Sequence, residues 1–257
     1  MTSYDKYLQV GLKAVEAANK IITSAYTASP LDFETKSDNS PVTVVDKNCE
    51  AIIQKIILDS FPDHAFLGEE TGKSTQESEY VWIIDPIDGT KNFVRGIPLF
   101  ATLVALMHRG EIVVGISHAP IMNETVWAAK SAGAFKNGHP IHVSNTHDIE
   151  HSYIGHGGIR AFDKIGQLQS LSDLSSNSWG GRGFGDAWSY HLVAQGALDA
   201  NIEAKIKIWD IAAAAIITTE AGGQVSDING MPVDINTSTF IASNGQIHQQ
   251  ILKYFEI

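Results

Sequence analysis

Apolar positions near the N-terminus recur at helical spacing. Leu8, Leu12, Val15 and Ile22 share one helical face, with Lys13, Glu16 and Lys20 elsewhere, which predicts an amphipathic first helix. Residues 28 to 41, ASPLDFETKSDNSP, are polar and carry two prolines, the mark of a loop. A second helix is predicted from near Asp46, with Ile52, Ile53, Ile56 and Ile57 inward, stopping before Phe61-Pro62-Asp63. From Trp82 the pattern changes to short β-rich runs: VWIID, LFATLVALM, EIVVGISHA and TVWAA. Arg109-Gly110 and Asn137-Gly138 are predicted tight turns between strands. Helical spacing returns near Trp188 in WSYHLVAQGALDA. It returns again after Asp210 in IAAAAIITTEAGG, where Gly222-Gly223 is the expected C-terminal stop. FIASN reads as a last strand and QIHQQILKYF as a last helix.

Helices and antiparallel-looking strands in alternating blocks, with no repeat, low-complexity tract or linker between them, predict an α+β layered fold. A length of 257 residues is enough for one large domain or two small ones sharing a core. Hydrophobic residues make up 44% and charged residues 18%, ordinary values for a globular protein. The net charge is -11 and no Lys/Arg cluster occurs, which argues against a nucleic-acid partner. An acidic protein that handles an anion needs local cations, and bound metal is the obvious source. Cys49 is the only cysteine, so neither an intramolecular disulfide nor a Cys-based zinc site is available. That suits a reducing cytoplasm, the expected compartment. Asp5, Lys6, Lys13, Glu16 and Lys20 break the N-terminal apolar runs, which do not read as a signal peptide. No stretch is long and apolar enough to span a bilayer, so no membrane partner is expected.

The candidate chemistry lies in three acidic groups at element edges: LGEE (Glu69, Glu70), DPIDGT (Asp85, Asp88) and IWDIAA (Asp210). Each has a structural explanation when taken alone. Asp210 suits a helix N-cap, and Asp85 and Asp88 suit a turn before glycine. Together they resist it, because carboxylates crowded at buried strand ends repel one another unless a cation compensates. Hard oxygen donors without a Cys or His pattern point to Mg2+ or a similar ion. Pro86 holds Asp85 extended, and the Asp-Pro-Ile-Asp spacing lets both carboxylates and the Ile87 carbonyl turn to one point. If a helix starts at Gly89-Thr90, its free N–H groups make an anion site beside the metal.

GEE, WIIDPIDGTKNF and WDIAAAAIITTEAGG resemble, in order, the motifs of the inositol monophosphatase family of Mg2+-dependent, lithium-sensitive phosphatases. The likeness runs from the first helix to the SNG near the C-terminus. It implies a five-layer αβαβα sandwich in one domain over 1–257, with a metal and phosphate half over about 1–145 and a substrate half over about 146–257. It implies metal ligands at Glu69, Asp85, the Ile87 carbonyl, Asp88 and Asp210, for two or three Mg2+ ions. It also implies that Glu69 and Thr90 orient and deprotonate the attacking water, with Gly89 and Thr90 on the phosphate. SPVTVVD matches the family's element around a threonine and an aspartate, here Thr43 and Asp46. Asp46 then either supports Thr90 or caps a helix. Family members are usually homodimers acting on a small phosphorylated metabolite.

Two stretches bear on which one. DPIDGTKNFVRGIPLFATLVAL is similar to the bacterial histidinol-phosphatase branch, which usually reads TKNFVRG and then PVWATL; here Leu99-Phe100 replaces Val-Trp. RGFGDAWSYHLVAQGALDANIE carries that branch's Gly-Asp-x-Trp-x-Tyr segment, where inositol-type enzymes usually have a small uncharged residue in place of Asp186. Substrate residues are thereby expected at Gly185, Asp186 and Glu203. Histidinol carries an ammonium and an imidazole and inositol only hydroxyls, so an extra carboxylate favours the former. Asp186 also suits a helix N-cap. The rival assignments are an inositol-1-phosphate or broad-specificity phosphatase, and a non-enzymatic interaction protein on the same fold. Arg95 and Arg182 either face the substrate or pair at the surface. Trp188, Tyr190 and Trp209 are expected in the core, and no histidine is proposed as a ligand.

Overall fold

The computed structural model describes residues 4–28, 34–35 and 41–256. The expected loop over 28–41 lies largely outside them, although Glu34–Thr35 and Pro41–Val42 pair antiparallel. The described helices are α1 (Asp5–Thr27), α2 (Val44–Ser60), α3 (Thr90–Val94), α4 (Ile159–Lys164), α5 (Leu168–Asn177), α6 (Asp186–Ala194), α7 (Ile208–Glu220) and α8 (His248–Phe255).

In α1 the predicted face is buried at Leu8, Val15 and Ile22, with Ala14 and Ala18 alongside, and it packs on α2. α2 starts two residues before Asp46 because Thr43 is its N-cap. The Thr43 hydroxyl accepts the N–H groups of Val45 and Asp46, and the Asp46 side chain accepts the N–H of Thr43 at 2.7 Å. Ile53 and Ile57 are fully buried, while Ile52 and Ile56 pack at the margin.

This helix pair covers one face of an eight-stranded sheet. Its strand order is His139–Ile141, Ala134–Lys136, Glu124–Ala129, Glu111–Ala119, Ala101–His108, Tyr80–Asp88, Ala65–Gly68 and Gly72–Lys73. The ladders are antiparallel apart from Ala65–Gly68, which runs parallel to Tyr80–Asp88. Both predicted tight turns are present, with left-handed φ at Arg109 (54°), Gly110 (83°), Asn137 (49°) and Gly138 (83°).

α6 and α7 fill the space between this sheet and a five-stranded one. The second sheet is ordered Gly180–Arg182, Tyr153–His156, Ala200–Ala204, Thr239–Ser243 and Gln224–Ser226, and α4, α5 and α8 cover its far face. The result is five layers, αβαβα. The layering explains the alanine run in α7. A helix lying between two sheets has no solvent face, so it is apolar all round, and every residue from Ile211 to Thr218 is buried. The small side chains also let the sheet approach: a Cβ at Gly115 would stand 2.4 Å from Ile216 and 2.7 Å from the Ala213 carbonyl. At the end of α7, Gly222 is left-handed (φ 93°), and its N–H and that of Gly223 bond back to Thr219 and Thr218. α4 and α5 were not predicted. They are short and polar, and α5 buries only Leu171 and Leu174.

Candidate active site

Strand Tyr80–Asp88 is buried from Trp82 to Ile87. Its register against Ala101–His108 slips at the acidic motif. Asp85 faces Leu103 and Asp88 faces Ala101, so Pro86 and Ile87 together oppose Thr102 as a β-bulge. Proline suits the bulge because it has no N–H to leave unpaired. Thr102 Oγ1 donates to the Pro86 carbonyl at 2.9 Å, and the Ile87 N–H donates to Asp85 Oδ1 at 3.0 Å. Asp85 and Asp88 therefore belong to a bulged strand and not to a turn. The bulge aims both carboxylates into one cavity. Ile87 lines the same cavity, is buried, and its carbonyl accepts the Thr90 hydroxyl at 3.0 Å.

Gly89 turns the chain with φ 88° into α3. The backbone N–H groups of the first turn, Thr90 and Lys91 among them, have no carbonyl partner within a helix. From the other side come the first turns of α6 and α7. The Ala187 N–H donates to Asp88 Oδ2 at 2.5 Å, and Asp210, the third residue of α7, accepts the Lys207 N–H at 2.7 Å. Glu69 follows strand Ala65–Gly68, its N–H bonded to the Ile84 carbonyl at 3.1 Å. Glu69, Asp85, Ile87, Asp88, Gly89, Thr90 and Asp210 line a cavity of about 530 Å³ together with Gly185, Asp186 and Glu203.

Carboxylate oxygens of Asp85, Asp88 and Asp210 lie within 4.8 Å of one another, and Glu69 lines the same space. Burial raises the Asp85 carboxyl well above the usual range, and the charges of Glu69, Asp88 and Asp210 add to it. Asp88 is raised likewise, by burial and then by Asp186, Asp210 and Glu203. Burial pushes Asp210 up to about 7 against the opposing Lys207 N–H bond, and it pushes Glu203 up to about 8, helped by Asp186. Such a cluster is unfavourable by itself and relaxes when a cation supplies counter-charge. The donors are hard oxygens, without histidine or cysteine among the three clustered groups, which fits a hard divalent cation.

Of the expected site residues, Asp46 lies outside the cavity, whereas Asp186 lines it without being the N-cap of α6. Asp46 is neither an N-cap nor a partner of Thr90: it is the third residue of α2, and its Oδ2 accepts the Thr43 hydroxyl at 2.5 Å. It is not among the cavity-lining residues. Its Oδ1 is buried with no hydrogen-bond partner among the described residues. Asp186 is likewise not an N-cap. Gly185 is, and Asp186 is the first residue of α6, with left-handed φ of 52°. Its Oδ2 accepts Asn92 Nδ2 at 3.1 Å and lies 3.1 Å from where a Gly89 Cβ would stand. Burial raises its carboxyl, against the nearby Lys91 charge. Glu203 is 8% exposed and accepts Asn201 Nδ2 at 3.2 Å.

Arg95 and Arg182 are exposed and do not line the cavity. Lys91, Asn92, His156, Phe184 and Lys205 do, and Tyr190, buried in the core as expected, also reaches it. Lys91 and Asn92 lay in plain view inside DGTKNF. His156 sits where no periodic pattern marked a strand end.

The sequence model of the inositol monophosphatase family matches residues 3–257. A histidinol-phosphatase of Streptomyces coelicolor is 35% identical over 99% of this chain and 98% of its own. A fructose-1,6-bisphosphatase/inositol-1-monophosphatase of Aquifex aeolicus is also 35% identical, over 100% of this chain and 99% of its own. The solved structure of an IMPase from Thermotoga maritima superposes with a TM-score of 0.89 at 32% identity, covering 97% of this chain and 96% of that one.

Proposed function

The chain belongs to the inositol monophosphatase family, and from that premise we propose that it is a Mg2+-dependent phosphomonoesterase that hydrolyses L-histidinol phosphate to L-histidinol and phosphate. Glu69, Asp85, Asp88, Asp210 and the Ile87 carbonyl hold the ions. Bound Mg2+ supplies counter-charge to the phosphate and lowers the pKa of water. The Gly89 and Thr90 backbone N–H groups receive the phosphate oxygens at the start of α3. Glu69 accepts a proton from the attacking water, and Thr90, fixed by its bond to the Ile87 carbonyl, orients it. Uncatalysed phosphate-monoester hydrolysis is slow enough that enzymes supply up to ~10²¹-fold, mainly by positioning and charge stabilisation. No covalent nucleophile is needed.

The observation that carries the choice of alcohol is Asp186. Its carboxylate lines the cavity near Asp88 and Glu203, and burial disfavours its ionised form, an effect that the Lys91 charge opposes without cancelling. An ammonium or imidazolium on the substrate restores it, whereas a neutral polyol does not. In Asp186→Ser, kcat/KM for histidinol phosphate is expected to fall roughly 10- to 100-fold, the worth of one charge-assisted bond. Inositol 1-phosphate turnover should change little. Equal losses on both substrates contradict the role of Asp186.

A further inference from the structure

Glu50 is a carboxylate that the chemistry above does not use. It lies on α2, one turn after Asp46, and is fully buried. Among the described residues it forms no salt bridge. Neutral hydrogen-bond donors surround it instead. Its Oε2 accepts the Glu70 N–H at 2.9 Å; its Oε1 accepts the Thr71 N–H at 3.0 Å, Gln54 Nε2 at 3.1 Å and the Thr71 hydroxyl. Three of the four donors fall on Oε1 and one on Oε2.

These contacts converge on the residues flanking Glu69. Glu70 and Thr71, just after it, are held by their N–H groups. Gly68, just before it, lies so close that a Cβ there would stand 2.2 Å from Glu50 Oε1. The third side is the sheet, where the Glu69 N–H bonds to Ile84 at 3.1 Å. The backbone that carries Glu69 into the cavity is thus clamped between a strand and one buried carboxylate.

We propose that Glu50 is a positioning residue, which sets the direction in which Glu69 presents its carboxylate to the metal site. The inference rests on Glu69 as a metal ligand. If the tie between α2 and the loop were purely structural, its removal would lower stability and leave metal affinity unchanged in the folded protein.

Mn2+ binding to the metal-free protein, followed by electron paramagnetic resonance, separates these. Glu50→Gln keeps the size but offers one acceptor oxygen and turns an NH2 toward backbone N–H groups. It should weaken Mn2+ binding about 10- to 100-fold, the usual cost of losing a group that orients a ligand. At saturating Mg2+, kcat should fall while substrate KM stays near wild type. Thr71→Val removes one of the four donors at an exposed residue and should shift binding the same way by less; it decides the matter if Glu50→Gln does not fold. Ile53→Val, buried in the same helix, should lower Tm and leave Mn2+ binding unchanged. Wild-type Mn2+ affinity in Glu50→Gln or Thr71→Val, alongside weakened binding in Glu69→Gln, overturns the positioning role. Unchanged binding in Glu69→Gln overturns the ligand assignment of Glu69, and the inference with it.

Discussion

Asp88 joins three parts of the site: the bulged strand carries it, the Ala187 N–H of α6 binds it, and it shares the cluster with Asp85 and Asp210. Asparagine at this position keeps the size and can still accept the Ala187 N–H, but it removes a charge the fold holds at a cost. Asp88→Asn should therefore leave the metal-free protein at least as thermostable as wild type, by circular dichroism. Phosphate release should fall by more than roughly 100-fold, since a lost ligand costs more than a lost second partner. Near-normal turnover would refute the metal site. The same residue shows where a sequence stops being informative. DPIDGT named the carboxylates, but a register slip against a strand reached later in the chain is what aims them.

The junction between strand Tyr80–Asp88 and α3 depends on Gly89. Its φ of 88° is costly for any residue with a Cβ, and that atom would sit 3.0 Å from the Leu99 carbonyl and 3.1 Å from Asp186 Oδ2. Gly89→Ala should lower stability by about 1–2 kcal/mol from the left-handed backbone alone. It should also lower kcat/KM, because relieving the contact moves either the phosphate-binding turn or Asp186. Urea unfolding and phosphate release check the two effects, and wild-type values in both would show that the turn does not need glycine. Elements with a strong local signature were readable in advance: α1 by its apolar face, α7 by its alanines, the hairpins by Arg-Gly and Asn-Gly. Residues 146 to 180 were not. α5, LQSLSDLSSN, buries only two side chains, and strand Gly180–Arg182 owes its place to parallel pairing with Tyr153–His156.

At the scale of the molecule, the sandwich was legible through family motifs more than through periodicity. The cavity was only partly so, because its lining includes His156 and Lys205, which no local pattern marked. Gathering so many carboxylates also makes stability depend on pH and metal. Asp210 titrates at about 7 and Glu203 at about 8 in the fold, against ordinary values of 3.8 and 4.5. A raised carboxyl contributes stability that is fully present below its unfolded pKa and is lost as pH rises through the folded one. The Tm of the metal-free protein should therefore fall between about pH 6.5 and pH 8, above the range in which the buried His118 and His248, both lowered to about 4, oppose the trend. Mg2+ favours the ionised forms, so the Tm gain on adding it should be larger at pH 8 than at pH 5. A gain independent of pH would separate the ion from these carboxylates.

The most direct measurement is phosphate release with saturating Mg2+ from L-histidinol phosphate, inositol 1-phosphate and 3′-phosphoadenosine 5′-phosphate in parallel, compared by kcat/KM. Histidinol phosphate should lead by about tenfold or more, the worth of one charge-assisted contact with Asp186. An equal or higher value for inositol 1-phosphate would contradict the proposed substrate, and no metal-dependent release from any of the three would contradict the phosphatase itself.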